Sequence, residues 1–375
     1  RLSPLVNKTE SINRASLIVT LLFNEGLINQ TEMEKAQIEL KKYKEKLNII
    51  KTVTARYFID WVYTQTPDEV LRSKKDLLIK STLNSYLQNA VNTAIKEETK
   101  KVDDDIQTAV VVMDYMGAIR ALKGGRNWNR SKFNRATQSK RQIGSIFKTY
   151  VYLTALSIGY KLDDTVLDTP IFDNKWKPKN YGNKYEGEIS LKRAFAKSSN
   201  VVAVKISEKI GRELIIRQTK KLGVISKIPN KPSMPLGVAS MSLIEVVGSY
   251  GAICGKGRAI IPFGINEIVL RNGKSFWKRS PPRRKKIISN KNQKDIKKLL
   301  REVVVTGTAS KLSSLPFKVI GKTGTTQNNR DAWFIGCAKG YVLGVWAGRD
   351  DDKSMKNIFG STLPLNIFNS IVNDI

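Results

Sequence analysis

The chain has no histidine in its 375 residues. That absence excludes a Ser-His-Asp triad, a Cys-His nucleophile pair and an HExxH zinc site, each of which needs an imidazole. Cysteine is nearly as scarce, with only Cys254 in an apolar stretch and Cys337 in a strand-like run. Two such distant cysteines give neither metal-ligand spacing nor a disulfide framework, and buried free thiols are expected. No apolar run reaches the ~18 to 20 residues that span a bilayer. Acidic residues are few, 33 against 65 lysines and arginines, which leaves a net charge of +32. Such a charge suits an anionic membrane or polymer. No nucleic-acid recognition motif accompanies it, so no nucleic-acid partner is expected; lysine spread over solvated faces accounts for the excess.

Without histidine, a serine nucleophile must take its base from lysine or a carboxylate. Arg141 to Tyr150 reads RQIGSIFKTY and sets Lys148 three positions after Ser145, with an apolar TYVYLTAL stretch continuing in helical character. Residues three apart share a helix face, so the Lys148 amine is expected one turn below the Ser145 hydroxyl. Ser145 then opens the helix, where orphan N–H groups and the positive dipole end favour negative charge. An ordinary lysine is neutral only ~0.04% of the time at pH 7, and lowering its pKa by ~3 units corresponds to roughly 4 kcal/mol. Lys148 therefore needs a cationic, hydrogen-bonding pocket from elsewhere in the chain.

Two stretches can supply it. One is Lys197-Ser198-Ser199-Asn200, after a helix-like LKRAFA segment; the other is Gly321-Lys322-Thr323-Gly324-Thr325-Thr326, in a strand-like context. In order these read S-x-x-K, S-x-N and K-T-G. Each is weak alone: Ser275 to Lys278 also matches the first, and Ser11 to Asn13 the second. Order and local context together are specific, and they resemble the signature set of penicillin-binding proteins and serine β-lactamases.

The likeness extends further. FNRATQSKRQIGSIFKTYVYLTAL is similar to the nucleophile region of class A penicillin-binding proteins, and Trp176, Pro178, Asn180, Tyr181 and Gly187 fall on that family's W-x-P-x-N-Y…G run. PLGVASMSLIEVVGSYGAICGKG and GKTGTTQNNRDAWFIG also resemble family segments, so the likeness covers about residues 77 to 375. One departure is Ile143, where the family usually has proline, and a looser turn before Ser145 is expected.

The resemblance implies a peptidoglycan D,D-transpeptidase acting on D-Ala-D-Ala stem peptides, with an amine as second substrate and β-lactams as inhibitors. Ser145 would be the acylated nucleophile, Lys148 its base and Ser198 a proton relay. Asn200 would hold the substrate amide, Lys322 would add positive potential, and Thr323, Gly324 and Thr325 would bind the terminal carboxylate. Neither cofactor nor metal is implied. The family also implies an N-terminal membrane anchor and a glycosyltransferase domain before residue 1, a place on the outer face of the cytoplasmic membrane, and accessory wall-synthesis partners. Two other readings are a slow or silent penicillin-binding scaffold and a β-lactamase. The latter needs a base for deacylating water, and Ile225 to Met241 contains no glutamate.

Three segments are expected: 1–48 as the end of a glycosyltransferase domain lacking its catalytic glutamates, 49–76 as a linker, and 77–375 as the transpeptidase domain. Residues 1–48 read as two helices, the first ending near Gly26 and the second opening on a Thr31-x-x-Glu34 capping box. In the large segment, a strand over Leu77–Thr82, a helix over Leu83–Lys101 and a hairpin over 108–122 precede helical patterns. Strands return over Phe317–Thr323, Ala332–Ala338 and Tyr341–Ala347, followed by a helix over Leu363–Val372. This order predicts an α/β protein of α+β type, with one antiparallel sheet built from both chain ends and flanked by helices. The basic run over 270–301 reads as a connection and a solvated face.

Overall fold

The computed structural model describes residues 8–50, 55–73, 75–171, 176–281 and 285–375. The chain forms two compact units, residues 1–54 and 55–375.

The first unit holds the helices Lys8–Asn24 and Gln30–Ile50. Gly26 sits at φ +68°, a left-handed position that suits glycine after a helix end. The second helix is capped two residues earlier than the sequence suggests. Glu32 N–H donates to Asn29 Oδ1 at 3.0 Å and Asn29 N–H to Glu32 Oε2 at 2.9 Å. Asn29 thus takes the capping-box position in place of Thr31, because both the Asn29 and Glu32 side chains fit the reciprocal geometry.

The second unit begins with Arg56–Thr64, a helix whose Tyr57, Phe58 and Trp61 are buried, so residues expected in a linker contribute to this core. Its centre is a five-stranded antiparallel sheet. The strand order is Ile320–Thr325, Asp331–Ala338, Tyr341–Arg349, Ile106–Asp114 and Ile119–Lys123. Strands from both chain ends therefore lie side by side, as the order of patterns predicted. Both sheet faces are covered. Gly344, paired with Ile335, lies against Val247 and Leu243, whereas Gly336 lies against Phe368. Neighbouring residues of a strand point to opposite faces. Leu243–Cys254 and Leu363–Asp374 thus pack on opposite sides. Between the sheet edge and the remaining helices lies Lys148–Ser157, buried from Lys148 to Leu156.

A second sheet joins Leu77–Ser81, Ile265–Leu270 and Ser275–Lys278. The last strand carries the second S-x-x-K match, and three residues apart on a strand point to opposite faces. Ser275 and Lys278 therefore cannot act as a pair. The helix Asn290–Val305 within the basic region is amphipathic, with Ile296, Leu299, Leu300, Val303 and Val304 buried. Part of the preceding proline-arginine run lies outside the described residues. Among the described residues no helix is long and apolar enough to cross a membrane.

The cysteines correct the expectation of free thiols: Cys254 and Cys337 form a disulfide with Cα atoms 6.5 Å apart. Cys254 ends the helix lying over the sheet face to which Cys337 points, a juxtaposition that sequence spacing cannot reveal. The bond closes a loop with a sequence separation of 83 residues. A loop of this size is worth about 4.5 kcal/mol by the chain-entropy argument. Urea unfolding of a Cys254→Ala/Cys337→Ala variant is expected to show a loss of that order relative to the oxidised chain.

Candidate active site

Ser145 lies in the 3-10 turn Gly144–Phe147, which runs directly into the Lys148–Ser157 helix. In a 3-10 turn, residues i and i+3 eclipse, so Lys148 follows directly beneath Ser145. Glycines let this turn lie against the sheet edge. A Cβ on Gly144 would meet Thr325 O at 2.7 Å, and one on Gly237 would meet Gly144 O at 1.8 Å. The first contact brings the Thr325 backbone against the residue preceding Ser145. Ile143 is fully buried and donates its N–H to Ala239 O at 3.3 Å, while Gly144 N–H donates to Gly237 O at 3.1 Å. Proline could not make the first bond. The expected loosening at Ile143 is therefore absent. Trp333 Nε1 also donates to Gln142 O at 2.8 Å, fastening the approach to Ser145 to the sheet.

The two motif lysines meet at Ser198. Lys148 Nζ donates to Ser198 O at 2.6 Å and Asn200 Oδ1 at 2.6 Å, and lies 3.2 Å from Ser198 Oγ. Lys322 Nζ donates to Ser198 Oγ at 2.9 Å and to Thr323 O at 3.1 Å. It also lies 5.7 Å from the centre of the Phe195 ring. Both lysines are fully buried. Burial alone pushes Lys322 down to about 7. Lys148 is held well below its ordinary value, first by burial and then by the Lys322 charge, with Asp168 pulling the other way. This is the cationic, hydrogen-bonding pocket that the sequence required of other segments. Ser145 is partly exposed and, among the described residues, its hydroxyl makes no hydrogen bond.

The K-T-G strand Ile320–Thr325 is the sheet edge facing this turn. A Cβ on Gly324 would meet Ile143 O at 2.7 Å, so the close approach of two backbones requires glycine there. Thr325 Oγ1 accepts from Gly360 N–H at 3.0 Å and keeps its own proton available. Thr323 is buried and its hydroxyl is paired with that of Thr308. The side-chain amide of Asn200 is occupied at both ends, since Nδ2 also donates to Lys179 O at 2.7 Å. All eight predicted residues thus belong to one turn-helix-strand junction. Sequence reasoning missed Thr308 and Asp168. Neither lies in a recognisable motif, and each reaches the site only through tertiary contact.

Glu245 is the acid nearest in sequence to the stretch where a deacylating base was sought. It accepts from Ile225 N–H and Ser226 N–H at 2.6 Å each, and from Ser226 Oγ at 2.7 Å. It also completes the capping box of Leu243–Cys254 with Ser242. Its oxygens are committed to holding a loop and a helix start.

Comparison with known proteins agrees with this geometry. The family described as "Penicillin binding protein transpeptidase domain" matches residues 107–371. Penicillin-binding protein 1B of Buchnera aphidicola subsp. Baizongia pistaciae is 32% identical over 98% of this chain and 52% of its own length. Penicillin-binding protein 1A of Aquifex aeolicus is 35% identical over 70% of this chain and 37% of its own length. The chain thus spans about half the length of the first relative and little more than a third of the second. Among solved structures, penicillin-binding protein 1A from Haemophilus influenzae superposes with a TM-score of 0.79 at 18% identity, covering 99% of this chain and 77% of that one. PonA1 from Mycobacterium tuberculosis gives 0.77 at 22% identity, covering 85% and 91%. The identity of these two structures with the chain is low enough that they bear on fold alone. The family match extends over the sheet, the Lys148–Ser157 helix and all three motifs, and by it the chain belongs to the penicillin-binding protein transpeptidase family.

Proposed function

We propose that the chain is a peptidoglycan D,D-transpeptidase that works through an acyl-enzyme on Ser145 and is inhibited by β-lactams. The observation that carries the reading is the convergence of the Lys148 and Lys322 amines on Ser198, with Ser145 in the turn that leads into the Lys148 helix and its hydroxyl uncommitted among the described residues. A neutral amine has two N–H bonds and one lone pair. Ser198 O and Asn200 Oδ1 can take the two hydrogens of Lys148. The lone pair is then left for the Ser145 proton. Ser145 Oγ bonds to the carbonyl carbon of the penultimate D-alanine, and the C–N bond to the terminal D-alanine breaks. The proton passes from Lys148 through Ser198 Oγ to the departing amine. A second strand's amine then bonds to the ester carbon, the bond from that carbon to Ser145 Oγ breaks, and the amine proton returns through Ser198 Oγ and Lys148 to Ser145 Oγ.

Lys322 supplies positive potential for the substrate carboxylate, with the Thr325 hydroxyl as a donor and the backbone around Gly324 as the close wall. Thr323 joins this subsite by exchanging its bond to Thr308. The N–H groups of Ser145 and Thr325 serve as the oxyanion hole. Both ends of the Asn200 amide are in use, so its first role in this reading is to fix Lys148, and substrate contact comes at the expense of Lys179 O. Residues 1–48 are read as the end of a glycosyltransferase domain, and the Buchnera relative's match over 98% of this chain supports counterparts upstream of the catalytic unit. A membrane-anchored setting on the outer face of the cytoplasmic membrane follows from the same reading, as do β-lactams and stem peptides as ligands.

Fluorescent penicillin tests this function. Stable labelling is the expected result. Rapid loss of label indicates a β-lactamase, and absence of label on folded protein indicates a silent scaffold. The commitment of Glu245 to a capping box argues against the first alternative.

The buried lysines predict a stability cost. Folded Lys322 sits at about 7 against an ordinary 10.5. Between those values the unfolded chain holds a proton that the folded chain has released, so this residue makes stability rise with pH across that window. Below about 7 its full penalty applies. Lys322→Met is therefore expected to melt at a higher temperature than the natural chain at pH 7, with the gap narrowing by pH 9.5. Thermal melts at the two pH values check it, and an equal or lower melting temperature at pH 7 would contradict the burial argument.

A further inference from the structure

Behind the S-x-N turn stand two residues outside the three motifs. Asp168 ends the short strand Thr165–Asp168 and is 3% exposed. Its Oδ1 accepts from Asn180 Nδ2 and Ser199 Oγ at 2.7 Å each, and its Oδ2 from Glu186 N–H at 3.0 Å. Asn180 Oδ1 accepts in turn from Asn200 N–H at 2.8 Å and Val201 N–H at 3.2 Å, while its Nδ2 also donates to Lys184 O at 3.0 Å. The orientation of the Asn180 amide is thereby fixed, since a flip would set donors against donors and acceptors against acceptors. Asn200, held by Asn180 through its backbone, carries the Oδ1 that receives Lys148. The neighbouring Lys179 O holds the other end of the Asn200 amide.

The turn needs such a hold. Ser198 lies at φ +59°, a left-handed conformation that is costly for a residue with a Cβ and persists only where its surroundings impose it. Ser198 is also where both catalytic-motif lysines converge. Contact therefore runs without a gap from Asp168 through Asn180 and Asn200 to the Lys148 amine.

We propose that Asp168 and Asn180 are positioning residues for acyl transfer, acting through the Ser198–Asn200 turn to fix the Lys148 amine; this rests on the reading of Ser145 as nucleophile and Lys148 as its base. Neither residue touches the reacting atoms. Their effect is on rate and on the protonation of Lys148, whose charged form the Asp168 carboxylate favours.

The test measures acylation by fluorescent penicillin across pH, together with melting temperature, in the natural chain, Asn180→Asp, Asp168→Asn and the double exchange. Asn180→Asp sets two carboxylates against each other and is expected to slow acylation by ~10²-fold, the scale of a displacement of about 1 Å at a catalytic group. The double exchange restores an amide facing a carboxylate and is expected to recover at least ~10-fold of that loss. Asp168→Asn removes a charge that favours protonated Lys148, so the acidic limb of the acylation profile moves to lower pH.

Folded single variants that acylate at the natural rate with an unmoved limb overturn the proposal. So does a double exchange that regains melting temperature but no rate. If Asn180→Asp does not fold, the limb of Asp168→Asn decides alone. A natural chain that is not labelled at Ser145 defeats the nucleophile reading and the positioning roles with it. A natural chain labelled there, with indifferent variants, removes the positioning roles only.

Discussion

Ser145→Ala is expected to abolish penicillin labelling and D-alanine release, with a rate loss on the order of 10⁶, the scale seen when a serine nucleophile is removed from an acyl-transfer enzyme. The expectation follows from the position of this hydroxyl. It is partly exposed and free of hydrogen bonds among the described residues, at the start of a buried helix and over a buried amine. No other motif serine offers the same combination. Ser198 Oγ is committed to Lys322, and Ser199 Oγ to Asp168. Ser275 lies on a strand that cannot place Lys278 beside it. Because Ser145 is a small residue at the mouth of the turn, its replacement by alanine leaves the packing of Ile143, Ile146 and Phe147 in place, and the variant is expected to melt close to the natural chain.

Lys148→Ala is expected to slow acylation by ~10² to 10⁴, the usual worth of a general base. Lys148→Arg separates proton transfer from charge. A guanidinium stays protonated at every accessible pH, so it can supply positive potential but cannot take the Ser145 proton. If Lys148 acts as base, the arginine variant is as slow as the alanine variant. If the residue serves only as a cation, arginine retains much of the rate. The burial of Lys148, with Lys322 as a cationic neighbour, supports the first outcome, since both lower its proton affinity. Stopped-flow acylation over pH 5 to 9, an experimental range of about four units chosen around neutrality, distinguishes the two.

Much of this site was legible because its chemistry is carried by short motifs in fixed order. The missing histidine narrowed the base to lysine or a carboxylate before any fold was known. Lys322 could be assigned to the pocket of Lys148 because Lys148 alone could not be neutralised and the family resemblance placed a second lysine beside it. Sheet strands were recognisable from their apolar runs, and their ends shifted by a few residues. The K-T-G strand, for example, runs Ile320–Thr325 where Phe317–Thr323 was expected, since threonine and glycine at its end hide the pattern.

What escaped depended on partners distant in the chain. The pairing of Cys254 with Cys337 is set by a helix end lying over a sheet face. Asp168 became significant only when Ser199 and Asn180 were brought to it. Ile143 shows the same lesson in reverse. The loss of a proline suggested looseness, but isoleucine has the N–H that proline lacks and donates it to Ala239 O. Likewise the capping box slid from Thr31 to Asn29, because either residue fits the local rule and only the helix start distinguishes them.

The most direct test of the account is to incubate the natural chain with penicillin, digest it and map the acylated residue by mass spectrometry. The account predicts a single persistent adduct, with the mass of the intact drug, on the peptide containing Ser145. An adduct on another serine, or a folded chain without any adduct, would contradict it.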